Sequence, residues 1–348
     1  MPQNQTSSPA VESSPPVLGI DVSKPTLDTC LWHRGQARHH RFANTSEGIT
    51  QMLAMLQASG ASQALVAMEA TGPYSLAAAM ASTAAGHQVT VINPRRVLDY
   101  AKACERRNKT DRVDAALIAR FASKEPLPLW SPLPAEQSLL RDLLRRQSDL
   151  EAQLHAEERR LEMAPEAKPL RASLERSITW LRAELGRLEK SLQQHLRAHR
   201  RLATQIENLQ TVPGFGEKSS RLLAAEIPGH FANGRAVSAW LRVVPQQCQS
   251  GLSVRKPSRI GHAAPCLRSK LYFAAVTAMR CSPRFQALAQ RLRAKGHAKM
   301  SIIMAVLHKL IRTAFAILKT GRPYQPDHLV ALASAVPPRG GVRGTVVP

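Results

Sequence analysis

Four carboxylates stand where the chain could do chemistry with them. In Lys109-Thr-Asp-Arg-Val-Asp-Ala115, Asp111 and Asp114 lie three residues apart at the start of an Ala/Leu/Ile-rich helix, so both side chains share one helical face. Asp21 and Glu69 each close a short apolar run, Val17 to Asp21 and Ala64 to Glu69, that reads as a strand. Taken singly, each is a solvated strand end or a partner for a helix dipole. Together they cannot converge unpaired, because like charges raise one another's pKa until cations neutralise them. Oxygen-only donors suit Mg²⁺, with Mn²⁺ as a substitute. Two such ions about 4 Å apart clamp the attacking and leaving oxygens of an in-line phosphoryl transfer.

The elements that must position these groups follow from the apolar pattern. Val17–Asp21, Thr26–Leu31 and Gln36–Phe42 read as a meander of three strands, and Ser46–Ala58 as a helix with Ile49, Met52, Leu53 and Leu56 on one face. Strand Ala64–Met68, helix Ser75–Ala85, strand Gln88–Ile92, a helix opened by Pro94 and the helix Lys109–Ala122 complete a βββαβαβα order. That order is an α/β fold with a mixed sheet. Carboxylates at strand ends and on a late helix are how a ribonuclease-H-like fold assembles a two-metal site. The expected division is a disordered leader over 1–16, a catalytic domain over 17–125, a Pro-rich linker over 126–135, a helical hairpin over 136–210, a C-terminal domain over 211–320 and a disordered tail over 321–348.

Composition narrows the partner. The 348 residues carry 48 Lys and Arg against 25 Asp and Glu, a formal charge of +23, which points to a polyanion, nucleic acid before membrane. From Thr211 onward there are three acids, Glu217, Glu226 and Asp327, against 21 Lys and Arg, so 18 of the 23 net charges lie there. Five scattered cysteines without C-x-x-C spacing indicate neither a disulfide framework nor a zinc site, and fit a reducing bacterial cytoplasm and a nucleoid-associated protein. No signal peptide is expected in Met1–Pro16. No membrane span is expected either, since Ile302–Leu318 is interrupted by His308, Lys309 and Arg312.

Leu143, Leu150, Leu154 and Leu161, then Leu170, Leu174, Ile178, Leu181, Leu185, Leu188, Leu192 and Leu196, follow near-heptad spacing on either side of Pro165 and Pro169. This predicts an antiparallel coiled-coil hairpin. Pro213-Gly-Phe-Gly216 resembles the turn of a helix-hairpin-helix element, in which Gly214 and Gly216 let backbone amides approach a phosphate beside Lys218. Gln246–His262 reads as a polar loop, followed by helices over about Pro265–Met279, Pro283–Ala294 and Lys299–Lys319. Lys109, Arg112, Arg255, Lys256, Arg259, Arg268 and Lys270 are candidate phosphate contacts rather than base readers, since no recognition helix with bidentate amides is evident.

Gly19-Ile-Asp-Val-Ser-Lys24, Met68-Glu-Ala-Thr-Gly-Pro-Tyr74 and Lys109-Thr-Asp-Arg-Val-Asp-Ala115, with Pro213-Gly-Phe-Gly216, Gln249-Ser-Gly251 and Cys266-Leu-Arg-Ser-Lys-Leu-Tyr272, resemble the DEDD insertion-sequence transposases related to the Piv invertase, described as bridge-RNA-guided recombinases. The likeness runs from about Val17 to Leu318. It implies a RuvC-like N-terminal domain with Asp21, Glu69, Asp111 and Asp114 as metal ligands, and a mainly helical transposase domain. It also implies a nucleophile at Ser250, a position that chemistry alone does not select over Ser253 or Ser258. DNA duplexes, a structured guide RNA and a homo-oligomer, a dimer or the tetramer of a synaptic complex, are the implied partners. Two rivals stand beside it: a RuvC-like endonuclease or junction resolvase using activated water, and a non-catalytic nucleic-acid scaffold.

Overall fold

The computed structural model describes residues 15–33, 36–104, 111–229, 231–250, 254–259 and 267–326, with the backbone alone for 111–113, 246–250 and 254–259. The chain divides into two compact units, Met1–Pro132 and Leu133–Pro348.

The first unit is built on strands β1 (Val17–Val22), β2 (Thr26–His33), β3 (Gln36–Ala43), β4 (Leu65–Glu69) and β5 (Gln88–Ile92), and on helices α1 (Ser46–Ala58), α2 (Leu76–Ala84), α3 (Pro94–Ala103) and α4 (Asp111–Lys124). The sheet order is β3-β2-β1-β4-β5. β1 pairs antiparallel with β2 and parallel with β4, and β5 extends the parallel side. Alternation along the strands sorts side chains onto two faces. Leu18, Ile20, Val22, Val66 and Met68 pack with Met52, Leu56 and Ala78 on one face, while Val17, Cys30 and Ala67 pack with Val97, Ala115, Ile118, Ala119 and Phe121 on the other. The Pro-rich stretch is strapped to the outer edge of β5, where Trp130 N–H donates to the Val89 carbonyl at 2.7 Å and Thr90 Oγ1 donates to the Pro128 carbonyl at 3.0 Å. A short 3₁₀ turn, Gly72–Ser75, precedes α2, which therefore starts one residue later than its sequence suggests.

In the second unit, α5 (Ala135–Glu162) and α6 (Lys168–Ala198) form a helical hairpin. Its antiparallel sense is fixed by three contacts: Arg182 Nη2 to Glu158 Oε1 at 2.8 Å, Gln147 to Glu189 at 3.5 Å, and the His195 ring to the Glu136 carbonyl at 2.8 Å. Pro169 falls in the first turn of α6, where its missing N–H is tolerated. The remaining elements are α7 (Arg200–Gln210), α8 (Glu217–Glu226), α9 (Gly234–Trp240), β6 (Gln246–Ser250), β7 (Val254–Arg259), α10 (Leu267–Lys270), α11 (Tyr272–Cys281), α12 (Pro283–Ala294) and α13 (Lys299–Thr320). Leu140 and Leu192 of the hairpin join Leu209, Leu223, Ala275, Leu307 and Ile311 in one core. By length and composition α13 is apolar enough to cross a bilayer, and half of its most apolar window is buried inside the unit. Here it serves as the central core helix.

In place of the loop expected over Gln246–His262, β6 and β7 form an antiparallel hairpin with a register shift between Gln246 and Cys248. Gln-Gln-Cys-Gln-Ser carries no apolar alternation to announce a strand. The extra residue of β7 falls beside Pro257, which has no N–H to give to a ladder, and a bulge is where a strand accommodates one.

Candidate active site

Asp21 is the penultimate residue of β1, and Glu69 is the last residue of β4. The parallel register pairs Ile20 with Met68, so the next residues along, Asp21 and Glu69, emerge side by side at the same end of adjacent strands. Both follow the parity of Gly19 and Ala67, which places them on the face covered by α4. Both are half-buried.

Gly19 explains why α4 comes so close. A Cβ there would lie 2.3 Å from the Ala115 carbonyl oxygen and 2.4 Å from the Ala119 nitrogen, so only glycine lets the helix backbone rest on β1. Asp114, half-buried, immediately precedes that contact. Asp111 is the first residue of α4, and its side chain, like that of Arg112, lies outside the described residues, as does all of Lys109.

A fifth carboxylate, absent from the sequence-based set, belongs to the same face. Asp28 on β2 is the direct antiparallel partner of Asp21, and Arg41 on β3 is in turn the partner of Asp28. Asp28 is 7% exposed and accepts a 2.7 Å hydrogen bond from Arg41 Nε. The row Arg41, Asp28, Asp21 thus runs straight across three strands, with Glu69 at its end. Its signal in the sequence was the alternation of β2, but register cannot be read from one strand alone.

The rim at this end is tied together. Asn44 Nδ2 donates to the Ser23 carbonyl at 2.9 Å and the Tyr74 carbonyl at 3.1 Å, joining the β1–β2 turn to the turn after β4. Two residues beyond Glu69, the buried Thr71 hydroxyl has no hydrogen-bond partner among the described residues.

Carboxylates at two strand ends and one helix form an all-oxygen donor set, and that chemistry fits a hard divalent cation. Among the described residues no three His, Cys, Asp or Glu side chains already form a closed cluster.

The residues predicted for nucleic-acid contact in the second unit take different roles. Gly214, with φ at 96°, is pressed onto α11, where a Cβ would sit 2.3 Å from the Ala274 carbonyl oxygen, so the turn needs glycine for packing. Gly216 caps α8 with nothing within 4 Å of a built Cβ, leaving that helix N-terminus open to a groove of about 590 Å³. Lys218 and Lys270 line it, Lys218 paired with Glu151 at 2.8 Å and Lys270 bonded to Ser148 Oγ at 2.9 Å. Arg268 donates to the Arg242 carbonyl at 3.2 Å. Ser250 ends β6 opposite Val254, with Arg255, Lys256 and Arg259 on β7; these side chains lie outside the described residues, as does the predicted Gly251 neighbour.

Comparison with known proteins bears on both units. A DEDD transposase model of the IS110 type, described as a transposase, matches residues 18–164, and a model described as the transposase IS116/IS110/IS902 family matches residues 206–290. The pilin gene-inverting protein of Moraxella bovis is 30% identical over 313 residues, spanning 88% of this chain and 97% of that protein. Its counterpart in Moraxella lacunata is 29% identical over 313 residues. A probable family 20 transposase of Pseudomonas aeruginosa is 29% identical over 283 residues, 69% of this chain and 80% of that protein.

Proposed function

The chain belongs to the IS116/IS110/IS902 transposase family, and from that premise we propose that it is a site-specific recombinase that cuts and rejoins DNA through a covalent phosphoserine. As a member it is a DNA-processing enzyme of the RuvC-like DEDD class, dependent on a divalent metal. The finer reading assigns Asp21, Glu69, Asp111 and Asp114 to two Mg²⁺ ions and Ser250 to the nucleophile. The observation that carries it is the parallel β1–β4 register, which delivers Asp21 and Glu69 together to the face where α4 brings Asp114.

Bound there, a divalent cation supplies neutralisation of phosphate charge and acidifies an oxygen nucleophile. The residues do the rest. Ser250 loses its hydroxyl proton, its oxygen bonds to phosphorus, and the sugar oxygen leaves carrying a proton. A sugar hydroxyl of another strand then displaces the serine, which regains its proton. As the family resemblance implies, the reading has the carboxylates and Ser250 act on one phosphate from two protomers of a homo-oligomer. Basic residues of the second unit hold the DNA backbone, and a structured guide RNA supplies the sequence choice.

Labelled donor DNA incubated with Mg²⁺ and resolved under denaturing conditions tests this. Wild type gives a protein–DNA adduct; Ser250→Ala gives none, and Asp21→Asn gives neither adduct nor nick. The second reading, a metal-dependent nuclease using water, is favoured by the DEDD match over residues 18–164. It predicts that Ser250→Ala still nicks.

A further inference from the structure

From Ile227 to Pro326 the chain holds 17 Lys and Arg and not one acid. The consequence is visible where α12 and α13 meet: Lys309 is held below its ordinary value of 10.5 first by burial and then by Arg312, Arg284 and Arg291 around it. His308 is lowered in the same way, by burial and then by Arg312 and Lys309. Lys309, Arg312, Arg284 and Arg291 crowd together with no acid paired to them among the described residues, a cost that a polyanion removes on binding.

On the other face of α12, which carries Gln286, Ala289, Gln290 and Arg293, helices α11, α12 and α13 border a groove of about 700 Å³. Arg280, Arg293 and Lys299 line it, all exposed, and none of the three forms an ion pair among the described residues. Its other polar side chains are Tyr272 and the amides Gln286 and Gln290. At its mouth stands Phe273, 73% exposed, with Tyr272 edge-on to it at 5.3 Å. The same Phe273 also borders the groove at the α8 N-terminus that holds Gly216, Lys218 and Lys270. An aromatic ring therefore stands between two basic clefts.

A duplex offers phosphates to such a surface but keeps its base faces stacked. An unpaired strand offers both phosphates and base faces. We propose that this surface is a binding site for a single-stranded stretch of nucleic acid, with a base stacked on Phe273 and the flanking phosphates on Arg280, Arg293 and Lys299. The stacking platform is sequence-tolerant, as every base has a π-face, and the arginines add cation–π contact. None of the carboxylates assigned to the metal is among its lining residues, and it operates without metal.

The test is fluorescence anisotropy with the full-length protein in EDTA, using labelled oligo(dT), oligo(U) and a duplex of equal length. Phe273→Ala, a surface change expected to fold normally, weakens single-strand binding roughly tenfold and duplex binding less than twofold. Phe273→Trp restores single-strand affinity, and its emission is quenched saturably by oligo(dT). Arg280→Gln with Arg293→Gln lowers the salt slope for the single strand by about 1.4, the value for two phosphate contacts. Preference for oligo(U) over oligo(dT) assigns the occupant to RNA, the reverse to DNA, and either supports the site. Equal losses on duplex and single strand, or an unchanged affinity accompanied by a change in oligomeric state, overturn it, the latter giving the groove to a second copy of the chain.

Discussion

Asp28 sits directly opposite Asp21 in the β1–β2 ladder, its carboxylate held at 2.7 Å by Arg41 Nε. An acid that looks like one more candidate ligand is thereby occupied by a cation from its own sheet. Removing that cation leaves a buried carboxylate beside Asp21. Arg41→Ala is expected to cost about 1–2 kcal/mol in a denaturant titration. Most of the loss should return in the double variant with Asp28→Ala, since the pair rather than either residue alone is needed. If the double variant loses the sum of what the two single variants lose, the pair is not coupled.

Gly19→Ala places a methyl group inside the α4 backbone. Overpacking of this kind costs about 1–3 kcal/mol, and contact with main chain rather than a flexible side chain puts this substitution at the upper end. Thermal unfolding measures the cost. Metal-dependent strand cleavage should fall with it, because the same contact seats Asp114. Gly60→Ala, at a turn with open space and φ of 71°, serves as the milder comparison.

His87 gives the first unit a pH dependence. Burial holds its pKa below the ordinary value of 6.5, and its Nδ1 accepts the Ala64 N–H at 3.2 Å, a role that only the neutral ring can fill. The unfolded chain therefore binds a proton before the folded chain does. Stability is complete above about pH 6.5 and declines as the pH falls from there through the lower folded pKa. His87→Gln should flatten the decline between pH 6.5 and 5, as read from chemical denaturation at each pH; an unchanged slope would remove His87 from this role.

Arg221 pins the hairpin to the C-terminal helices. It is 5% exposed, donating to both Glu189 oxygens at 3.0 and 3.1 Å and to Glu217 at 2.5 Å. Arg221→Ala strands these two partly exposed carboxylates and is expected to cost about 2 kcal/mol, less than a fully buried pair would. Hydrogen exchange should rise first in α6 around Glu189 and in α8. Arg221→Lys cannot span both acids and should recover under half of the loss.

The strands and helices of the first unit were legible because period-2 and period-3.6 patterns are strong there, and Asp21 and Glu69 could be placed at strand ends from the apolar runs before them. Asp28 was not legible: Thr26–Leu31 announces a strand, while which residue faces Asp21 depends on the turn between the strands. Gly214 was read for phosphate because Pro-Gly-x-Gly turns favour it, whereas its position against Ala274 is tertiary. The β6–β7 hairpin is not legible in the sequence because a polar strand stabilised by backbone pairing leaves no hydrophobic trace. α9 is short, and its Asn233 cap, bonded to the Arg235 and Ala236 amides, is its clearest signal in the sequence.

The strap formed by Pro126–Pro132 has a consequence for assembly. By donating Trp130 N–H to Val89, it occupies the free margin of β5, and a foreign strand arriving there finds a backbone acceptor already taken. The opposite margin, β3, carries Arg38, His39, His40 and Arg41 in succession, a run that repels a copy of itself. Neither margin of the sheet invites another sheet. The sheet is left as an insulated chassis for its carboxylates.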